Sequence, residues 1–144
     1  PLMAGNDVAH MDESTRSILL NKEVIAVDQD PLGAQGHRVW KDGANEVWMK
    51  PLAGGGRALL LFNRGDTTET IRATADQLGW PKGTRARVRD LWAHKDAGTW
   101  SGAIQATVNA ASDNTGTVSL AELTAESHTN VDDSAIEKAL NKYK

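Results

Sequence analysis

The sequence predicts a mainly β fold whose centre is an antiparallel β-sandwich over residues 36–124. Two observations predict it. Short runs of β-branched and apolar residues recur at roughly twelve-residue spacing, with turn residues between them. Within a run such as 68–75, apolar and polar side chains alternate, as in a strand with one face buried and the other in solvent. A succession of such strands without helices between them is typical of a sandwich.

Strands are predicted near 37–41, 45–50, 57–63, 68–75, 84–91, 103–109 and 117–123. Asp42-Gly43 indicates a hairpin between the first two strands. The glycines at 54–56 separate the second strand from the third. The run 58–62, Ala-Leu-Leu-Leu-Phe, does not alternate, which predicts a strand covered on both faces.

Residues 1–35 form a different zone, with one predicted helix near 12–21. Asp12 is a good N-cap for this helix, and Asn21 is expected to end it in the left-handed conformation. Residues 1–5 resemble the end of a buried strand, and 23–27 is a short apolar run that stops before Pro31. Residues 125–144 are predicted to be a polar tail with a short helix that begins at a capping box, 134–137.

Composition excludes several classes of function. The 144 residues include no Cys, so disulfides, thiolate metal sites and Cys nucleophiles are excluded. Sixteen Lys and Arg against nineteen Asp and Glu give a net charge of -3, which argues against a nucleic-acid partner. The chain has no apolar run of the ~20 residues that cross a bilayer, so no membrane partner is expected. The four His show no metal-ligand spacing, and neither a metal nor a cofactor is expected.

The candidate catalytic groups are carboxylates, because glycoside hydrolysis uses a pair of them across a sugar ring. Asp7 follows the strand-like residues at the N-terminus, and Asp28 and Asp30 flank Gln29. A carboxylate after a barrel strand is a catalytic candidate. Capping and turn formation account for the same three residues equally well.

Two further patterns each have a functional and a structural interpretation. Arg85, Arg87 and Arg89 share one face of a predicted strand, where they could attract an anion or form a solvated face. Five Trp residues, at 40, 48, 80, 92 and 100, could form a sugar-stacking surface or pack in the core.

Several segments together resemble the C-terminal portion of a glycoside hydrolase family 27 α-galactosidase. They are 1–8, 15–19, 21–33, 46–48, 50–52, 61–64 and 88–92, and the stretch that ends in Asp30-Pro31-Leu32-Gly33 is the most specific. The resemblance implies a (β/α)8 barrel followed by a sandwich. Residues 1–35 would then be the last strand and helix of the barrel, and 36–124 would be the sandwich.

The resemblance also implies where the chemistry lies. Such enzymes retain configuration and carry an Asp nucleophile, in a Lys-Tyr-Asp type motif, and an Asp acid/base on earlier strands. That motif does not occur here, so no catalytic residue is carried over, and the pair is expected upstream of Pro1. Asp7 is the nearest candidate in this chain, and the resemblance implies that it braces the top of the barrel.

The expected function is therefore part of a retaining glycosidase that hydrolyses terminal α-galactosides, with this chain inactive on its own. The alternative is a non-catalytic module that binds carbohydrate or has a structural role. The expected partners are an α-galactoside, reached through the missing barrel, and either an N-terminal barrel segment or a second copy that covers residues 1–35. The parent protein is expected to be secreted from a bacterium, with a signal peptide outside this chain.

Overall fold

The computed structural model describes residues 5, 7, 9–110 and 117–125, with only the backbone described at 117–121 and 125. Within these residues, two helices, α1 (Glu13–Leu19) and α2 (Lys22–Asp28), precede eight strands. The strands are β1 (His37–Asp42), β2 (Asn45–Pro51), β3 (Arg57–Asn63), β4 (Glu69–Thr74), β5 (Arg85–Asp90), β6 (Lys95–Ser101), β7 (Ala103–Val108) and β8 (Thr117–Ala125). All the predicted strands are confirmed, and β6 is an addition to them.

The strands form one antiparallel sheet, in the order β1-β2-β3-β8-β5-β6-β7-β4, that folds over on itself. The sheet bends at Gly102, which has a φ of 79°. At this bend β6 and β7 pair only through Ser101 and Ala103. Beyond this corner, β7 and β4 pack across β2, β3 and β8. The apolar side chains between the two layers form the core, so the predicted sandwich is confirmed.

The core draws its side chains from alternate positions of its strands, as the sequence pattern predicts for β4. Leu59 and Leu61 on β3 face Ile71 and Ala73 on β4, and all four are buried. On the outer side of β3, Leu60 and Phe62 are half-buried, and the Arg64 guanidinium lies 4.9 Å from the centre of the Phe62 ring. The non-alternating run 58–62 is therefore covered on one face by the core and partly covered on the other.

The strand β6 carries no such pattern. In Lys95–Ser101 the buried side chain is Trp100, and Gly98 has a φ of 93°. The register with β5 also shifts between Arg87 and Arg89. Because β6 is a mostly exposed strand with a glycine kink, its residues alternate too little to predict it.

Among the described side chains of the sandwich, two polar ones are buried. Asn63 is fully buried and donates to the carbonyls of Thr67, Val108 and Asn109, while it accepts from the Gly65 N–H. Glu46 is 2% exposed, and the indole N–H of Trp48 lowers its pKa, with Lys41 and Arg38 contributing. Both side chains are partnered, as buried polar groups must be.

The helical zone confirms one expectation and corrects another. Asp12 is the N-cap of α1, and its carboxylate accepts the Thr15 N–H at 2.6 Å. The expectation that Asn21 ends the helix in a left-handed conformation is wrong: its φ is -68°, and it begins α2. The apolar run 23–27 belongs to this second helix, because the Asn21 side-chain oxygen accepts the N–H groups of Glu23 and Val24.

Two predictions lie almost wholly outside the described residues: the strand end at 1–5 and the tail at 125–144. Within the described part of the chain, neither helix is long and apolar enough to cross a membrane.

Candidate functional site

The helix α2 lies across the outer face of the sheet, from β5 to β2, and polar contacts hold it at both ends. We call this set of contacts the junction: Asn21, Glu23, Arg89, Leu91 and His94 at one end, and Lys50, Asp30 and Ala53 at the other. The two ends of α2 contact β5 and β2, and β3 and β8 lie between those strands in the sheet.

Asn21 begins the helix and attaches it to the sandwich with one side chain. Its Oδ1 accepts the N–H groups of Glu23 and Val24, both at 3.1 Å. Its Nδ2 donates to the carbonyl of Leu91, at 3.0 Å, in the turn that joins β5 to β6. Asn21 is 4% exposed and is the one buried residue of the helical zone in the described part of the chain.

An ion pair reinforces the same end. Arg89 donates through Nε and Nη2 to the two carboxylate oxygens of Glu23, at 2.8 and 2.7 Å. The Arg89 and His94 hydrogen bonds lower the pKa of Glu23 to about 2, and Glu23 and Asp96 raise the pKa of Arg89. Such a two-bond pair fixes the direction of both side chains.

The turn between β5 and β6 contacts the start of α2 through His94. His94 has a φ of 54°, and its ring Nδ1 lies 3.0 Å from Oε1 of Glu23. The His94 carbonyl accepts Arg89 Nη2 at 2.9 Å. Asp90 supports the turn by accepting the N–H groups of Trp92 and Ala93.

At the other end, Lys50 and Asp30 hold the end of α2 and the turn that follows it. Lys50 Nζ donates to the carbonyls of Val27 and Asp28 at the negative end of the helix. The Asp30 carboxylate accepts the Leu32 N–H at 3.0 Å and the Ala53 N–H at 3.0 and 3.2 Å. The turn after α2 is therefore fixed to the loop between β2 and β3.

Apolar packing in this attachment is partial, because Val24, Ile25 and Val27 on α2 are half-buried. Neither α1 nor α2 contains a buried residue, and a cavity of about 210 Å³ lies between Val27 and the β8 residues Glu122 and Thr124. Ile18, Leu20 and Leu32 are 51%, 60% and 52% exposed. Full burial of side chains of this size is worth about 1.5–3 kcal/mol each, so the outward surface of the helical zone can gain from a partner.

The three candidate carboxylates lie in different local settings. Asp7 is exposed, accepts the Ala9 N–H and lies 2.8 Å from Nδ1 of His10, which lowers its pKa. Asp28 is the exposed last residue of α2, and Asp30 is held by backbone N–H groups. The contacts of Asp7 and Asp30 are those of turn residues. The expectation that the catalytic pair lies outside this chain stays a prediction, and Asp7 stays the one candidate within it.

The three arginines and the five tryptophans do not share one environment in the structure. Arg85 and Arg87 are exposed, whereas Arg89 pairs with Glu23. Trp80 and Trp100 belong to the core, with ring centres 5.4 Å apart, and Trp40 packs against it. Core packing therefore accounts for three of the five Trp.

Sequence reasoning did not identify the junction, although a signal for it was present. Asn21, Glu23, Asp30, Lys50 and Arg89 all lie in the segments that carry the family resemblance. Nothing in periodicity or spacing relates Glu23 to Arg89, because 66 residues separate them. No group of three His, Asp or Glu within the described residues could hold a metal ion.

Comparison with known proteins gives consistent matches. The family described as the α-galactosidase C-terminal β-sandwich domain matches residues 42–120. An α-galactosidase of Coffea arabica is 46% identical over 110 residues, which are 76% of this chain and 29% of that protein. Alpha-galactosidase 3 of Arabidopsis thaliana is 44% identical over 76% of this chain and 26% of its own length.

Solved structures agree. The crystal structure of α-galactosidase I from Mortierella vinacea has a TM-score of 0.78 and 33% identity over 86% of this chain and 32% of its own. A GH27 β-L-arabinopyranosidase from Geobacillus stearothermophilus has a TM-score of 0.74 and 26% identity over 86% of this chain and 27% of its own. The chain thus spans about a quarter to a third of the length of these relatives.

Proposed function

The chain belongs to the α-galactosidase C-terminal β-sandwich family, and on that premise we propose that it serves a retaining glycosidase that hydrolyses terminal α-galactosides. It supplies the β-sandwich and the segment that closes the catalytic barrel. The junction carries this proposal, because residues of the family-like segments are used to hold α2 in one orientation on the sandwich. The names of the Coffea and Mortierella relatives support the substrate class.

The partner of the helical zone is the catalytic barrel. Ile18, Leu20 and Leu32 are more than half exposed, and α2, which lies between Leu20 and Leu32 in the chain, is fixed to the sandwich by polar contacts. A barrel that covers these side chains gains apolar burial at a surface already oriented to receive it. Self-association through the same side chains is the competing outcome.

The chemistry belongs to the barrel. Retaining hydrolysis needs a nucleophilic carboxylate and an acid/base carboxylate about 5–5.5 Å apart, which form and then hydrolyse a glycosyl-enzyme. The Asp30 carboxylate is held by backbone N–H groups, and that of Asp7 is paired with His10. The chain contributes position rather than reacting groups, so it is inactive alone. Secretion from a bacterium stays a prediction.

A chimaera tests the proposal. The chain is joined to the part of the Mortierella enzyme that it does not match, in place of that enzyme's own matching third. We expect the chimaera to hydrolyse an aryl α-galactoside and the isolated chain to release nothing. A chimaera that also carries Asp7→Asn should still hydrolyse the aryl α-galactoside, because Asp7 is neither the nucleophile nor the acid/base.

Two results would contradict the proposal. One is turnover by the isolated chain that Asp7→Asn abolishes, which would make Asp7 catalytic. The other is an inactive, folded chimaera together with galactoside binding by the isolated chain. That pair of results would favour the non-catalytic carbohydrate-binding module.

A further inference from the structure

The sandwich has an exposed aromatic side chain of its own beside the helical zone. Among the described residues, the large apolar side chains that are exposed are Ile18, Leu20 and Leu32 of the helical zone and Trp92. Trp92 is 37% exposed and lies in the turn between β5 and β6, so it belongs to the sandwich. The exposed apolar surface of the described chain therefore includes both sides of the junction.

One hydrogen bond brings Trp92 next to two of the exposed side chains of the helical zone. Asn21 Nδ2 donates to the Leu91 carbonyl at 3.0 Å. Leu20 directly precedes Asn21 in the chain, and its side chain is 60% exposed. Trp92 directly follows Leu91, so the two exposed residues flank the same bond. The Ile18 carbonyl accepts the Asn21 N–H at 3.2 Å, and we call Ile18, Leu20 and Trp92 the apolar patch.

The turn holds the backbone of Trp92 in place. Asp90 Oδ1 accepts the N–H groups of Trp92 and Ala93 at 3.0 and 2.9 Å. Leu91, the residue before Trp92, is buried at 1% exposure. A large ring on a backbone that is already ordered loses little conformational freedom on binding, which is typical of an anchor residue in an interface.

The size of the apolar patch favours a partner on the same polypeptide over a second copy of the chain. A large aromatic side chain buries about 150–250 Å² in full, so three side chains exposed by about half supply roughly 300 Å². A stable complex of separate chains buries about 800 Å² on each partner. A tethered domain needs less surface, because its effective concentration is about millimolar. The chain spans about a quarter to a third of the length of its relatives, which leaves room for such a domain.

From this geometry we propose that Trp92 is the anchor through which the sandwich itself binds the catalytic barrel, with Leu20 and Ile18 in the same contact. The inference rests on the proposed function, because the barrel is the partner named there. It adds that the barrel binds both sides of the junction. A barrel seated on the apolar patch therefore fixes the orientation of α2 on the sandwich from outside.

Hydroxyl-radical footprinting read by mass spectrometry tests the proposal on the isolated chain and on the chimaera described above. The quantity is the modification of Trp92 divided by that of Trp40, which is half-buried and packs against the core from β1, at the end of the sheet order. We expect this ratio to be roughly threefold or more lower in the chimaera, because an anchor is desolvated at the centre of its interface. An equal ratio in the two proteins overturns the proposal. A ratio that falls as the isolated chain is concentrated also overturns it, because the partner is then a second copy.

Two variants separate an anchor from a residue that only supports its own turn. Hydrogen exchange measures the protection that the barrel adds at residues 22–28, as the chimaera compared with the isolated chain, and protection of β3 reports that each variant is folded. Trp92→Ala should remove roughly half or more of this added protection, and Trp92→Phe, which keeps an apolar ring, should retain most of it. If Trp92→Ala lowers protection equally in both proteins, Trp92 acts only within the chain and the proposal is overturned.

The activity of the chimaera separates this inference from the proposed function. An active chimaera in which Trp92 is as accessible as in the isolated chain overturns the inference alone. An inactive, folded chimaera in which Trp92 is protected supports the contact and contradicts the proposed function.

Discussion

The sandwich and the helical zone are held together by different forces. In the sandwich, the core consists of apolar side chains such as Leu59 and Ile71, both 1% exposed. In the helical zone, α1 and α2 contain no fully buried residue, although Val24, Ile25 and Val27 are half-buried, and hydrogen bonds and the Arg89–Glu23 ion pair join α2 to the sandwich. Apolar burial is strong and non-directional, whereas hydrogen bonds are weaker but fix geometry. The chain thus uses burial to fold one region and polar contacts to orient the other.

The largest effect is expected from a core substitution in the sandwich. Leu59→Ala should lower the free energy of unfolding by about 2–5 kcal/mol, through lost burial and the cavity left behind. Urea denaturation measures the change. Leu60→Ala, one residue away on the half-buried outer face, is the matched control and should cost clearly less. Equal losses for the two variants would mean that the two faces of β3 are equally packed.

A smaller and more local effect is expected at Asn21. Asn21→Ala removes the cap of α2 and the bond to Leu91, and should weaken α2 by about 1–2 kcal/mol. Hydrogen exchange should show faster exchange at 22–28 with β3 unchanged. Asn21→Asp keeps the capping oxygen but loses the donor to Leu91. Its protection at 22–28 should therefore lie between that of Asn21→Ala and that of the unmodified chain. If Asn21→Asp equals the unmodified chain, the bond to Leu91 contributes nothing.

The sequence predicted the sandwich better than the attachment of the helical zone, because the two regions are held by different forces. Burial leaves a trace in the sequence, so β4 could be located from its alternation and β3 from its continuous apolar run between turn residues. The strand β6 left no such trace because Trp100 is its one buried side chain. A hydrogen bond between distant residues, such as that from Asn21 to Leu91, leaves no periodic trace at all.

The correction at Asn21 shows the same limit in one residue. Asn is common both after the end of a helix and before its start, so local chemistry alone supported either position. The structure places it at the start of α2, where Leu91 completes its hydrogen bonds. The junction residues other than His94 and Ala53 could be found only through the family resemblance, which marked their segments without giving them a role.

Acid should loosen the helical zone. The pKa of Glu23 is about 2 in the folded chain and ordinary in the unfolded one, so the unfolded state binds more protons below pH 4.5. The stabilisation from Glu23 is present above that pH and is lost as pH falls from about 4.5 towards 2. Protection of residues 22–28, corrected for intrinsic exchange, should fall over this range in the unmodified chain. Glu23→Gln should be weakened already at pH 7 and should change little more in acid.

The most direct test of the contrast between the two regions compares a polar with an apolar deletion. Arg89→Leu removes both bonds to Glu23, whereas Val24→Ala trims a half-buried apolar side chain on α2. Protection of residues 22–28 is measured by hydrogen exchange in both variants, with β3 as the internal reference. If polar contacts hold the helical zone, Arg89→Leu should remove most of this protection, and Val24→Ala should leave most of it. Loss of protection in Val24→Ala with retention in Arg89→Leu would contradict the account.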